Sequence, residues 1–210
     1  MKKLILIPLF FALASCVSVP RIDFNDPLSI ESGIVKTIDE YRGSVRIEGP
    51  VSASDNPIGK FFGSTIVLPG GNAKKLTARL NNQKITAIYI ELQDTYQGEW
   101  RYYSSATDIN QKSMNFRNVD RRVGSCTQGC NLTEEVRITV DLDYLKENIS
   151  NGINIQVYGQ RGGTKILLNP TYVKTFYDYL IKETSSNLWA IHATKPQISN
   201  TEKMAENAGV

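Results

Sequence analysis

Alternation of apolar and polar residues with period two governs the middle of this chain. Residues 44–51 set Val45 and Ile47 against Arg46 and Glu48, the signature of a strand buried on one face. A second strand is predicted over 61–68, closed by the turn cluster Pro69-Gly70-Gly71-Asn72. A short one follows over 76–80, then a long one over 84–94 with Ile88, Ile90 and Leu92 on one face. After Gly98, residues 99–106 place Trp100 and Tyr102 on one side and Arg101 and Tyr103 on the other. Residues 115–123 and 132–140 form a hairpin, the second arm turning Val136, Ile138 and Val140 inward and Arg137 and Thr139 outward. Ile153, Ile155 and Val157 alternate with polar neighbours, and Arg161-Gly162-Gly163 turns the chain into 164–168.

Helical periodicity is confined to three places. Ile30, Ile34, Ile38 and Tyr41 recur at helical spacing and predict a short helix over 32–41, weakened by Gly33. Asp141 caps a helix over about 142–150, ended by Asn151-Gly152. Asn169-Pro170 opens a C-terminal helix over about 170–184, striped by Tyr172, Val173, Phe176, Tyr177, Leu180 and Ile181. Many short strands and few helices predict a mainly β fold: an antiparallel β-sandwich or a partly open barrel. The domain plan is one β-rich body over 31–186, with a mobile polar tail over 187–210.

The first residues are of another kind. A positive start, Met1-Lys2-Lys3, precedes an apolar run from Leu4 to Ala14 that contains Pro8. That run is about half of the roughly 20 residues a spanning helix needs, and polar residues follow at once. Residues 1–15 therefore read as a secretory signal peptide. Its end, Leu13-Ala14-Ser15-Cys16, resembles the lipobox of bacterial lipoprotein precursors. The resemblance covers about the first 17 residues only. It implies cleavage before Cys16, a thioether from the Cys16 sulfur to diacylglycerol, and acylation of the new amino terminus. Two or three fatty chains, at about 0.8 kcal/mol per buried methylene, hold a protein firmly where one chain does not. Val17, in place of the Asp that retains such proteins in the inner membrane, implies the outer membrane, on its periplasmic side. Residues 16–30, with Pro20 and Pro27, are then expected to be anchor and tether.

The lipobox changes the cysteine arithmetic. Three cysteines are an odd number for an exported chain; with Cys16 lipidated, Cys126 and Cys130 remain as a pair. A structural disulfide would staple the tip of the 115–140 hairpin. A redox pair is the second reading, although such pairs usually open a helix rather than a hairpin. A metal site is the third, and with one histidine, His192, the ligands are too few. No metal or cofactor is expected.

Charge excludes one class. Removing Lys2 and Lys3 from the 24 basic residues leaves 22 against 21 acidic ones, no basic footprint for nucleic acid. The 41% hydrophobic content suits a packed core. Gly59-Lys60 lacks the rest of a phosphate loop, with Ser54 at the first glycine and Phe61 after the lysine. A serine triad would need a histidine in the body.

Two features suit recognition. Tyr96, Trp100, Tyr102 and Tyr103 cluster around Gly98, and Arg117, Arg121 and Arg122 lie beside the cysteine hairpin. The aromatics either pack under a second layer or bind sugar, peptide or protein; the arginines are either a solvated edge or a contact for anionic polymer or phosphate. The function expected from these features is a lipid-anchored, non-enzymatic binding or scaffolding module of the envelope, attached to membrane through Cys16, with an envelope protein or polymer as partner. The alternative is a periplasmic hydrolase of cell wall or other polymer, using two of Asp94, Glu99, Asp108, Glu134 and Glu135.

Overall fold

A computed structural model describes residues 22–53, 58–61, 64–67, 71–124, 126 and 129–185. Among the described residues the fold is mainly β and antiparallel: a seven-stranded sheet, a three-stranded sheet, a two-stranded hairpin and three helices, arranged as a sandwich rather than a closed barrel.

The main sheet runs β1 (Val35–Asp39), β2 (Ser44–Glu48), β6 (Gly71–Asn81), β7 (Lys84–Gln97), β10 (Asn131–Val140) and β9 (Asn115–Val123). A two-residue strand, β3 (Ser52–Ala53), also pairs with β6. The second sheet is β12 (Gly162–Leu168), β11 (Ile153–Gly159) and β8 (Tyr103–Asp108). A separate hairpin joins β4 (Ile58–Phe61) to β5 (Ser64–Val67), where the sequence predicted one strand over 61–68. The strand predicted over 76–80 extends back through Gly71 and Asn72, so two residues of the supposed turn cluster are paired in β6.

Alternation works as expected where both neighbours are strands. Val45 and Ile47, Ile88, Ile90 and Leu92, and Val136, Ile138 and Val140 all face the core. They meet Ile155, Val157 and Ile166 of the second sheet and the stripe Tyr172, Val173, Phe176 and Leu180 of α3 (Pro170–Ser185). At about 25 cal/mol per Å² of apolar surface removed from water, this shared interior is the main source of stability. Helix α2 (Leu142–Glu147) starts at Asp141, whose side chain accepts from the Tyr144 N–H at 2.7 Å, and is shorter than the expected 142–150.

The helix expected over 32–41 is absent. Instead α1 (Pro27–Ser32) ends at Gly33, and β1 follows as an edge strand. Asp26 accepts from the N–H groups of Leu28 and Ser29, both at 3.1 Å, and Pro27 fills the first turn. Of the spaced residues that suggested a longer helix, only Ile30 is fully buried. Residues 22–30, expected as part of a tether, belong to the folded body: Ile22 and Phe24 pack on the core, and the Phe24 ring meets Tyr172 edge-on at 5.4 Å. Residues 16–21 and the tail expected over 187–210, with His192, lie outside the described residues.

Tyr172 ties helix to sheet. Its hydroxyl donates to the Pro50 carbonyl at 2.8 Å and accepts from the Leu76 N–H at 3.0 Å. The hydroxyl fits because residue 49 is glycine; a Cβ there would collide with it.

Candidate functional site

Strand register decides which polar residues converge. Glu134 on β10 stands opposite Asp94 on β7 and opposite Arg121 on β9. All three point to the inner side of the main sheet, where the second sheet begins. Glu134 is wholly buried and Asp94 is 4% exposed. A buried carboxylate is tolerated only when its lone pairs are met by donors. Glu134 meets that demand fully. Its Oε1 accepts from the Tyr96 hydroxyl and from the Tyr102 N–H at 3.0 Å; its Oε2 accepts from Arg121 Nε at 3.0 Å and the Tyr103 N–H at 3.2 Å. Asp94 accepts from Arg101 Nη1 at 2.6 Å and the Tyr103 hydroxyl at 2.5 Å.

The two carboxyls are driven apart electrically. Burial pushes both up. For Asp94, burial and the nearby Glu134 charge prevail over its donors, so its pKa is raised. For Glu134 the bonds from Tyr96, Arg121 and Tyr103 overcome burial, and its pKa is lowered. Burial also raises the phenol pKa values of Tyr96 and Tyr103, helped by Glu134 and Asp94 respectively.

This knot fixes a strained turn. Tyr102 has φ of +51°, a left-handed conformation that costs a residue with a Cβ about 1 kcal/mol or more. Glu134 holds the N–H groups on both sides of that residue's α-carbon, and the Tyr96 hydroxyl accepts from the Arg101 N–H at 2.9 Å. The turn throws the Tyr102 ring outward, 38% exposed, while Tyr103 goes into the core. Arg121 lies over the Tyr102 ring at 5.2 Å, and half-buried Trp100 sits 6.5 Å from it, ring centre to ring centre. The result is a small aromatic and cationic platform braced from beneath by a buried acid.

The seven residues expected as one partner surface therefore divide. Tyr96 and Tyr103 are buried supports rather than contact residues. Trp100, Tyr102 and Arg121 form the platform. Arg117 and Arg122 leave by the opposite face of the main sheet: Arg122 is the chain neighbour of Arg121 and alternates with it, and a bulge at Val119, opposite Glu135 and Val136, shifts the register so that Arg117 also changes side. Arg122 pairs there with Asp120 at 3.0 Å and with Glu135. The alternation expected for 99–106 fails because residues 99–102 are not strand: β8 begins at Tyr103, after the Tyr102 turn.

No family model, curated protein or solved structure matches this chain.

The opposite face carries a feature that sequence reading missed. A hollow of about 290 Å³ is lined by Arg46, Lys75, Glu91, Gln93, Glu135 and Arg137, among others. Three of its cations gather on Glu91. Arg137 donates to it through Nε at 3.0 Å and Nη2 at 2.6 Å, the Lys75 ammonium stands at 3.6 Å and the Arg46 guanidinium at 3.8 Å. Burial works to raise the Glu91 pKa, but the Arg137 bonds and the three positive charges outweigh it, so Glu91 is held ionised. The only signal in the sequence was a polar residue at every second place, which is also what a plain solvated face looks like.

Cys126 and Cys130 are joined in a disulfide beside the turn between β9 and β10. Among the described residues, no three His, Cys, Asp or Glu side chains group so as to hold a metal ion.

Proposed function

We propose that this protein is a lipid-anchored lipoprotein of the outer membrane, facing the periplasm, and that it works as a binding or scaffolding module. The lipobox around Cys16 supports the address. The observation that carries the binding role is the strained Tyr102. A residue kept in an unfavourable conformation by buried bonds to Glu134 is over-determined by its surroundings, and such strain clusters where a surface has a task. Here its effect is to hold an aromatic ring in water beside Trp100 and Arg121. Tyrosine, tryptophan and arginine are the residues that dominate interface energies. The partner is an envelope protein or polymer with an apolar or sugar surface for the rings and an acceptor for the guanidinium.

The test is capture from crosslinked envelopes, comparing wild type with a Trp100→Ala, Tyr102→Ala, Arg121→Ala triple variant. A partner recovered by wild type and lost by the folded variant supports the assignment. Equal recovery removes the platform from the binding role.

The second reading, a hydrolase working through carboxylates, is favoured by one observation: adjacent acids with opposed pKa shifts, Asp94 up and Glu134 down. Against it, neither acid lines the hollow, and the Glu134 oxygens are fully occupied by protein donors. Hydrolysis of cell-wall polymer abolished by Asp94→Asn would establish it.

A further inference from the structure

Arg137 and Arg117 face each other across β10 and β9 on the open side of the main sheet. Directly opposed side chains have Cβ atoms about 4.5–5.5 Å apart, and like charges so placed are destabilising. The usual remedy is a carboxylate for each. Arg137 has one, Glu91, and lies over the Tyr89 ring at 4.7 Å, so its guanidinium is fixed in plane and direction. It spends Nε and Nη2 on Glu91, and its Nη1 has no partner among the described residues. Arg117 is exposed and makes no ion pair or hydrogen bond among them. The Arg137 guanidinium is thus turned toward Glu91 and Tyr89 on β7 and held there with Nη1 unspent, while Arg117, its register partner on β9, stands outside the lining of the hollow and is free to swing toward it.

The neighbourhood does not neutralise them. Arg46, Lys75, Arg117, Arg122 and Arg137 stand against Glu48, Glu91, Asp120 and Glu135, and both Asp120 and Glu135 are paired with Arg122. The hollow opens beside Arg137, and its wall includes Gln93, Glu135 and Lys75, groups that exchange hydrogen bonds with hydroxyls.

We propose that Arg117 and Arg137 clamp the phosphate of a small soluble phosphorylated polyol or sugar, whose hydroxylated part enters the hollow. Phosphate is the fitting anion because its several oxygens accept from two guanidinium forks at once. A hollow of about 290 Å³ suits a small molecule rather than a flat lipid surface. The site lies on the face opposite the Tyr102 platform and does not depend on it.

Glycerol 3-phosphate is the probe, titrated calorimetrically into the full-length protein in non-ionic detergent. The expected result is saturable binding, weakened about tenfold or more by Arg117→Ala, the loss that follows from removing a charged hydrogen bond. Arg117→Ala should also melt no lower than wild type, since it removes a like-charge contact, so weakened binding cannot be blamed on misfolding. Arg137→Lys, which keeps the charge and loses the fork, should weaken binding as well. Absence of saturable binding, or equal affinity in wild type and Arg117→Ala, overturns the clamp. Inorganic phosphate binding as tightly as glycerol 3-phosphate overturns the role of the hollow. Binding only to phosphatidylglycerol vesicles overturns the choice of a soluble ligand.

Discussion

Replacing Glu134 by Gln tests whether a buried carboxylate braces the platform. The substitution keeps volume and removes charge. In wild type four donors meet the two oxygens, two on each. A glutamine has one oxygen and one NH₂ group, so one pair of donors must face a third donor. The cheaper orientation turns the NH₂ toward Tyr96, whose hydroxyl can rotate and accept. The Tyr102 N–H, buried against the same atom, then loses its acceptor. An unsatisfied buried donor costs about 1–3 kcal/mol. The weakened bond to Arg121 adds about 1 kcal/mol at most, because that arginine is partly exposed and screened. The sum is about 1–4 kcal/mol, read as a lower urea midpoint at unchanged slope. Acid sharpens the test. The Glu134 pKa is lowered in the folded state, so its contribution is present above the ordinary glutamate value of 4.5 and drains away as pH falls below it. The gap between wild type and Glu134→Gln should therefore narrow below pH 4.5. A cost under about 1 kcal/mol at neutral pH, or a gap that widens in acid, would show that the Glu134 carboxylate does not brace the turn.

Three further outcomes follow from the same geometry. Tyr102→Gly relieves the left-handed strain at that residue, so its melting temperature should equal or exceed wild type while partner capture falls; a clear loss of stability would mean the ring is a core element. Gly49→Ala pushes a methyl into the Tyr172 hydroxyl and should cost about 1–3 kcal/mol by urea unfolding, whereas a neutral result would show that the helix moves freely over β2 and β6. Opening the Cys126–Cys130 bond by a double serine substitution should cost about 2 kcal/mol, as expected for a five-residue loop, and an effect near zero would place that strand connection outside the cooperative unit.

Much of this fold was legible because alternation is a local signal. The hairpin of β9 and β10, the inward triplets of β7 and β11, and the Asn169-Pro170 start of α3 all follow from residues within a few positions of each other. Asp26-Pro27 carries the same start signal as Asn169-Pro170 and marks α1; the three- and four-residue spacing from Ile30 to Tyr41 obscured it, because β1 is an edge strand with little reason to alternate. The platform was half legible. Its aromatic and arginine members were each visible, but Glu134, which holds them together, was visible only as one of five candidate acids, and its bracing role exists only once β10 is set beside β7 and β9. The Glu91 cluster was illegible for the same reason, since Arg46, Lys75, Glu91 and Arg137 come from four strands and meet only through strand order.

The most direct test of the proposed role is intact-mass analysis of the protein purified from bacterial envelopes. The expected product is a chain that begins at Cys16 and carries diacylglycerol and a further fatty acyl group. A free Cys16 thiol, or residues 1–15 still attached, would contradict it.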